Sequence, residues 1–165
     1  MGDNRRRGLR HEPAPTRSHQ KFVVDLVGKL YEFLKGNPGE LLVSPIDVFL
    51  PASSDEVEDE VDTIVQPDVI VVCDRDKLIE KGVRGGPDFV VEILSPSTAM
   101  KDLSKKKTLY AKHGVREYWI LNPEDLSVLA YRLEGTAFGR VREYHAGEEV
   151  DSTVLIGFTW KAGAW

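Results

Sequence analysis

The sequence predicts an α/β fold in which a mixed β-sheet is flanked by helices. Three continuous apolar runs rich in β-branched residues, at 66–74, 87–95 and 115–121, are typical of strands buried on both faces. Two segments with apolar residues at helical spacing, at about 17–35 and 101–113, lie before and between these runs. The order helix, strands, helix, strand and hairpin indicates a mixed sheet on which the helices pack.

The first predicted helix, residues 17–35, has the clearest periodicity in the chain. Thr16 or Ser18 can cap its start, and Gly36 can end it. Its core-facing residues are Phe22, Leu26, Leu30, Phe33 and Leu34.

The region between this helix and the first long apolar run contains two short predicted strands. They are ELLVS and IDVFL, which Pro45 separates. The acidic segment 53–62 has no periodicity and is expected to be an exposed loop. Residues 74–86 are expected to be a connector with one helical turn. After the second long run, Ser95 and Ser97 are expected to organise the turn and to cap the helix at 101–113, which Gly114 ends.

The C-terminal part alternates apolar and polar residues, which is typical of antiparallel strands with one face exposed. A turn at 122–125 is followed by LSVLAYRL and FGRVREYH, which predict an antiparallel hairpin across Gly135. The tail TVLIGFTW is expected to add a last short strand.

Composition predicts a single globular domain over residues 16–165, preceded by a flexible basic arm over residues 1–15. The lone cysteine, Cys73, excludes an internal disulfide. No apolar stretch approaches the roughly 20 residues that span a bilayer, and no apolar segment follows the basic start, so a cytoplasmic protein is expected.

The net charge of −5 argues against a general duplex-binding surface, because phosphate contacts dominate non-specific affinity for nucleic acid. A local basic patch remains available at Lys101, Lys105, Lys106, Lys107 and Lys112.

Two acidic residues interrupt the runs that look most buried. Asp68 begins PDVIVV, and Glu92 lies inside FVVEILS. A carboxylate among valines and isoleucines is costly unless it is paired or binds a metal. Two such acids on neighbouring strands would make an oxygen-rich site suited to Mg²⁺ or Mn²⁺. The alternative is that each acid lies at a strand end and is solvated.

Three consecutive lysines occupy the second predicted helix. Lys105 points away from the apolar arc of that helix, whereas Lys106 and Lys107 lie within or beside it. A lysine directed at a sheet usually has an anionic partner. The alternative is three solvated lysines whose stems lie along the surface. Periodicity does not choose between Lys106 and Lys107.

Most of the chain, from PTRSHQKFV at about residue 15 to about Gly157, resembles a known family. The carrying motifs are VQPDVIVV and GGPDFVVEILSPSTAMKDLSKKKTLYAKHGVREYWILNP. They are similar to the Uma-type family of putative restriction endonucleases in the PD-(D/E)XK nuclease superfamily. The resemblance implies a restriction-endonuclease-like mixed β-sheet with a C-terminal antiparallel hairpin.

The resemblance also implies roles for particular residues. Asp68 matches the motif aspartate and Glu92 the second acid, while Leu94 stands where the superfamily usually has a lysine. In this family a helical lysine is thought to substitute, four residues after an aspartate and four before a tyrosine. Asp102, Lys106 and Tyr110 match that spacing, which selects Lys106.

The function implied is metal-dependent endonuclease activity, with DNA as the substrate by analogy with the superfamily. Asp68, Glu92 and the carbonyl of Ile93 would hold Mg²⁺ or Mn²⁺, and Lys106 would complete the catalytic set. The alternative is a catalytically inactive nucleic-acid-binding or interaction module on the same fold, and a homodimer is left open. Other residues that match or support the site are Tyr110, Asp102, Ser95, Asp47 and His19.

The chain departs from the family at its N-terminal side. NRRRGLRHE stands where relatives have a helix and a short strand that can supply an acid to the site. Glu12 and Glu32 are the candidates to replace that acid, unless no residue does.

Overall fold

The computed structural model describes residues 16–95 and 98–165, so the predicted arm at 1–15, Glu12 and Ser97 lie outside the described residues. Within these ranges there are two α-helices, α1 (Arg17–Leu34) and α2 (Met100–Lys112). Both agree with the sequence prediction to within one residue at each end. No helix in the described ranges has the length and apolar character needed to cross a membrane.

The two helices differ in how their N-termini are capped. Thr16 is the N-cap of α1, and its Oγ1 accepts the His19 N–H at 3.2 Å. The N-cap of α2 is Ala99, which has no side-chain cap, so the prediction that a serine caps this helix is wrong for Ser95. Ser95 instead forms the preceding turn, where its carbonyl accepts the Thr98 N–H at 3.0 Å.

The strands are short, and several lie outside the sequence prediction. In chain order they are β1 Glu40–Val43, β2 Asp47–Phe49, β3 Ile64–Val65, β4 Val69–Val72, β5 Leu78–Ile79, β6 Gly82–Arg84, β7 Phe89–Ile93, β8 Glu117–Asn122, β9 Ser127–Glu134, β10 Ala137–Phe138, β11 Arg142–Tyr144, β12 Glu149–Asp151 and β13 Thr159–Lys161. Single 3₁₀ turns occupy Glu58–Glu60 and Arg75–Lys77.

The main sheet confirms the central prediction. Its strand order is β1-β4-β7-β8-β9-β10, and β11 also pairs with β9. The three long apolar runs therefore supply adjacent strands, β4, β7 and β8. The pair β4–β7 is antiparallel and the pair β7–β8 is parallel, so the sheet is mixed.

A second, smaller sheet with the order β3-β2-β6-β5 lies where the sequence predicts only a connector and a strand. Strands β5 and β6 are too short to show periodicity. Gly82 permits the close pairing of β6 with β2, because its φ is 150° and an added Cβ would lie 2.1 Å from the Asp47 carbonyl oxygen. The prediction of one helical turn at 74–86 is confirmed by the 3₁₀ turn.

The C-terminal part contains two antiparallel pairings. Strands β9 and β10 form the hairpin predicted across Gly135, and β12 pairs with β13. The predicted last strand is correct only for its final part, because residues 153–157 form turns and β13 begins at Thr159.

The main sheet separates two hydrophobic cores. One face packs against α1 and the C-terminal segment, through Phe22, Leu26, Leu30, Phe158 and Trp160. The other face packs against α2 and the second sheet, through Leu103, Tyr110, Val48 and Val83. Alternate residues of β4 and β7 belong to opposite cores, as expected for strands buried on both faces.

A fully buried carboxylate joins the C-terminal segment to the sheet. Glu117 is 0% exposed, and its Oε1 accepts the Trp119 Nε1–H at 2.8 Å. Its Oε2 accepts from Ser152 Oγ at 2.8 Å and from the backbone N–H groups of Thr153 and Val154 at 3.1 Å each. Every one of these groups donates, so the site matches an anion that accepts at both oxygens.

We expect Glu117→Gln to lower the free energy of unfolding by about 3 kcal/mol. Either orientation of the glutamine amide would place its NH₂ against a buried donor. Thermal unfolding should show a melting temperature lower by roughly 6–12 °C. The exposed Glu143→Gln is the control and should leave the melting temperature unchanged. Equal melting temperatures for Glu117→Gln and the control would contradict this reading of the anion site.

Candidate active site

Strand register places the two acids singled out from the sequence on the same face of the main sheet. The antiparallel ladder pairs Val69 with Val91, so the next step along it sets Asp68 opposite Glu92. Their neighbours two residues away, Ile70 and Val90, belong to the core under α2. Asp68 and Glu92 therefore both point toward the side of the sheet on which α2 packs.

Glu92 is 3% exposed and makes its described side-chain contacts with α2. The Tyr110 hydroxyl donates to Glu92 Oε1 at 2.9 Å. Lys106 Nζ lies 3.4 Å from each carboxylate oxygen. The Lys106 side chain is 31% exposed, so solvent reaches part of it while its ammonium group contacts the buried carboxylate.

Asp68 is half-buried, and the backbone of β7 fixes its side chain. Asp68 Oδ2 accepts the Ile93 N–H at 2.7 Å, and its carbonyl oxygen accepts the Ser44 N–H at 2.9 Å. Burial raises the pKa of Asp68, while the Ile93 N–H and the nearby His19 and Lys106 side chains oppose this rise.

Burial also raises the pKa of Glu92, from 4.5 to about 7. The Lys106 ammonium opposes that rise, the Asp68 carboxylate adds to it, and the Tyr110 hydrogen bond opposes it. Burial beside Glu92 raises the pKa of Tyr110 too, so its hydroxyl stays protonated and keeps donating. Burial therefore makes the charged form of Glu92 costly in the metal-free protein, and a cation bound beside the carboxylate would offset that cost.

The three consecutive lysines of α2 have different environments. Lys105 is exposed, and the ammonium group of Lys107 lies 4.8 Å from the ring centre of Tyr131. Lys106 is the member that contacts Glu92. Asp102, one helical turn before Lys106, is exposed to solvent, whereas Lys106 is partly buried and Tyr110 is buried.

The remaining candidate residues lie in three different parts of the fold. Asp47 belongs to the second sheet, where its Oδ1 accepts from Gln66 Nε2 at 2.7 Å. Glu32 pairs with Lys35 at 3.2 Å on the exposed end of α1, so it does not replace an acid at the site. His19, near the start of α1, lines a cavity together with Asp68.

Two cavities share His19. The first, of about 380 Å³, is bounded by α1, the end of β1 and Asp68. The second, of about 290 Å³, includes Ser95 and Asn122 among its lining residues. From the sequence, Asn122 is expected only to be part of a turn. Its place at the end of a buried strand, directly before Pro123, is the signal that could have marked it as a cavity residue.

The donors available at the site suit a hard divalent cation. In the described residues, no group of three or more His, Cys, Asp or Glu side chains is arranged to hold a metal ion. Mg²⁺ is commonly bound by one or two carboxylates while it keeps several water ligands. Asp68 and Glu92 supply two carboxylates on the same face of the main sheet. This donor set fits such an ion.

Comparisons with known proteins agree with the architecture. A family model, Uma2, with the description "Putative restriction endonuclease", matches residues 8–163. The chain is similar to a solved structure from Anabaena variabilis ATCC 29413, described as a putative nuclease belonging to DUF820. The TM-score is 0.68 at 18% identity, over 88% of this chain and 78% of the other. No curated protein matches the chain.

Proposed function

The chain belongs to the Uma2 family of putative restriction endonucleases, and from this membership we propose that it is a metal-dependent endonuclease acting on phosphodiester bonds in DNA. The observation that carries the proposal is the contact of Lys106 and Tyr110 with Glu92, on the sheet face that also bears Asp68. A buried and a half-buried acid on one sheet face, with one lysine beside them, are suited to metal-assisted phosphodiester hydrolysis.

In the proposed site, Asp68, Glu92 and the Ile93 carbonyl hold one or two Mg²⁺ or Mn²⁺ ions. When bound, such an ion lowers the pKa of water and neutralises charge that develops on the phosphate. The protein supplies fixed geometry. The Ile93 N–H orients Asp68, and the Tyr110 hydroxyl orients Glu92.

Lys106 is placed to act on the substrate rather than only on Glu92. Its ammonium group is shared between both Glu92 oxygens at 3.4 Å, which is longer than a charge-assisted hydrogen bond of about 2.7–2.9 Å. With 31% of its side chain exposed, it can reach an attacking water or a phosphate oxygen at the mouth of the site. We propose that it orients the water or stabilises the transition-state charge there.

A catalytically inactive nucleic-acid-binding or interaction module on this fold is the second candidate. The net charge of −5 favours it. Such a module would keep the architecture without cleaving DNA. Metal binding and strand cleavage, measured separately, distinguish the two candidates.

We expect wild-type protein to bind Mn²⁺ in a calorimetric titration and to nick supercoiled DNA only when Mg²⁺ or Mn²⁺ is present. Asp68→Asn should lose both properties, because the amide oxygen is a weaker ligand and carries no charge. Asp55→Asn, in the exposed acidic segment, makes the same chemical change away from the site and should retain both.

The metal-binding and nicking measurements together distinguish the endonuclease from the inactive module. Nicking that requires Asp68 and a divalent ion supports the endonuclease. Nucleic-acid binding without cleavage under any divalent ion supports the inactive module. A panel of DNA and RNA substrates then tests the assignment of DNA.

A further inference from the structure

A cavity lies just beyond the carboxyl ends of two parallel strands of the main sheet. Strands β7 and β8 are parallel neighbours in register from Phe89↔Glu117 to Ile93↔Leu121. The crevice outside such strand ends is the usual ligand position in open α/β sheets. The cavity has a volume of about 290 Å³ and includes His19, Leu94, Ser95, Asn122, Pro123 and Glu124 in its lining.

The lining combines apolar walls with hydrogen-bonding groups at one edge. Leu94 and Pro123 provide apolar surface. Asn122 Oδ1 accepts the Glu124 N–H at 3.0 Å, while the Asn122 Nδ2 group has no hydrogen-bond partner in residues 16–95 and 98–165. Glu124 also lines the cavity. One unused donor next to acceptors matches the edge of a nucleobase, which carries both kinds of group.

The size of the cavity favours a single ring system. Pockets for drug-sized ligands measure roughly 300–1,000 Å³, and this cavity is slightly smaller than that range. Enzymes that take a base out of the stack hold it between aromatic or apolar side chains and bind its edge by hydrogen bonds.

His19 connects this cavity to the acid pair. Its ring lines both this cavity and the neighbouring one, which Asp68 also lines. The Nδ1 atom of His19 is buried and has no hydrogen-bond partner among the described residues, so this ring nitrogen is not satisfied by any described protein group. The chain also leads directly from Glu92 to the cavity wall at Leu94. A strand whose phosphate lies near Asp68 and Glu92 can therefore place the adjoining base in the cavity.

We propose that this cavity, here called the base pocket, binds one unpaired nucleobase of the strand that lies at Asp68 and Glu92. The inference rests on the proposed function and narrows its substrate to single-stranded or locally unpaired nucleic acid. A base that stays stacked inside a duplex cannot place its whole ring in such a cavity.

The test uses metal-free binding, so that it does not depend on cleavage. A short fluorescently labelled DNA single strand is titrated with wild-type protein in EDTA, and anisotropy is measured. Asn122→Asp keeps the acceptor for the Glu124 N–H and the size of the side chain, but it replaces the Nδ2 donor with an anionic oxygen. We expect its affinity for the strand to fall about tenfold. Asn37→Asp, at the distant end of α1, makes the same change in charge and should bind as wild type does.

A second measurement separates base recognition from the added negative charge. Strands that each lack one base, at successive positions, are titrated against both proteins. For wild-type protein, one position should weaken binding about tenfold when its base is removed. For Asn122→Asp the same removal should have little further effect, because the base and the amide act together.

Three results would overturn the base pocket: tighter binding of duplex than of single strand, equal affinity of all the base-lacking strands for wild-type protein, or equal affinity of Asn122→Asp and wild type for the intact strand. If wild-type protein cleaves DNA while any of these holds, the proposed function stands and only the base pocket fails. If wild-type protein neither binds nor cleaves nucleic acid, both fail together.

Discussion

Lys106→Ala is expected to reduce divalent-dependent cleavage by at least about 100-fold while leaving the protein folded. Lys106 is the lysine that contacts Glu92 in the described structure, and its ammonium group places a positive charge beside the acid pair. Its side chain is partly exposed and fills no core position, so its removal leaves no cavity. Nicking rates at matched Mg²⁺, with circular dichroism to monitor folding, give the measurement.

The neighbouring lysines provide matched controls on the same helix. Lys105→Ala removes an exposed charge and should affect only the attraction of phosphate, which salt screens. Lys107→Ala removes the ammonium group that lies over Tyr131, at a stability cost below about 1 kcal/mol. Cleavage by Lys106→Ala at the rate of either control would reject Lys106 as a catalytic residue.

Glu92→Gln is expected to abolish cleavage and yet to stabilise the metal-free protein above neutral pH. The pKa of Glu92 is raised in the folded protein, from 4.5 to about 7. A raised carboxyl pKa means that the folded state holds the proton more tightly than the unfolded state. Its contribution to stability is therefore complete below about pH 4.5 and is lost as pH rises through 7. The shift corresponds to roughly 3 kcal/mol of stability that is present at low pH and lost by pH 8.

Glutamine keeps the acceptor for the Tyr110 hydroxyl but carries no charge, so it removes this pH dependence. Denaturant unfolding in EDTA should show the variant and wild type similar at low pH, with the variant increasingly more stable toward pH 8. Glu117→Gln is expected to change the free energy of unfolding in the opposite direction, by lowering it, because each oxygen of that carboxylate already accepts from a donor. If Glu92→Gln lowered stability at pH 8 as much as Glu117→Gln does, the conclusion that the buried Glu92 carboxylate destabilises the metal-free protein would be wrong.

The sequence predicts the central strands well because burial on both faces leaves a strong signal. The β-branched runs identify β4, β7 and β8, and the interruption of two of these runs by acids draws attention to Asp68 and Glu92. Periodicity alone leaves Lys106 and Lys107 as alternatives. The family spacing selects Lys106, and in the structure it is Lys106 that contacts Glu92 while Lys107 lies over Tyr131.

Other features depend on contacts between distant parts of the chain and leave no local pattern. Strands β5 and β6 are two and three residues long, too short for an alternation to be visible. The Glu117 anion site is formed largely by residues 152–154, about 35 positions later in the chain. Asn122 becomes a cavity residue only because β8 runs parallel to β7, which brings their carboxyl ends together.

The positions of the site residues along the chain determine where insertions can be tolerated. Glu92, Lys106 and Tyr110 all lie within the single crossover from β7 through α2 to β8, whereas Asp68 enters from a separate strand. One residue inserted into α2 before Lys106 would turn that side chain by about 100° away from Glu92, because each helical residue rotates the next by that angle. The loops after β8 carry no group of the acid–lysine set and can lengthen without altering it. Natural variation in length should therefore concentrate after residue 124 and avoid α2.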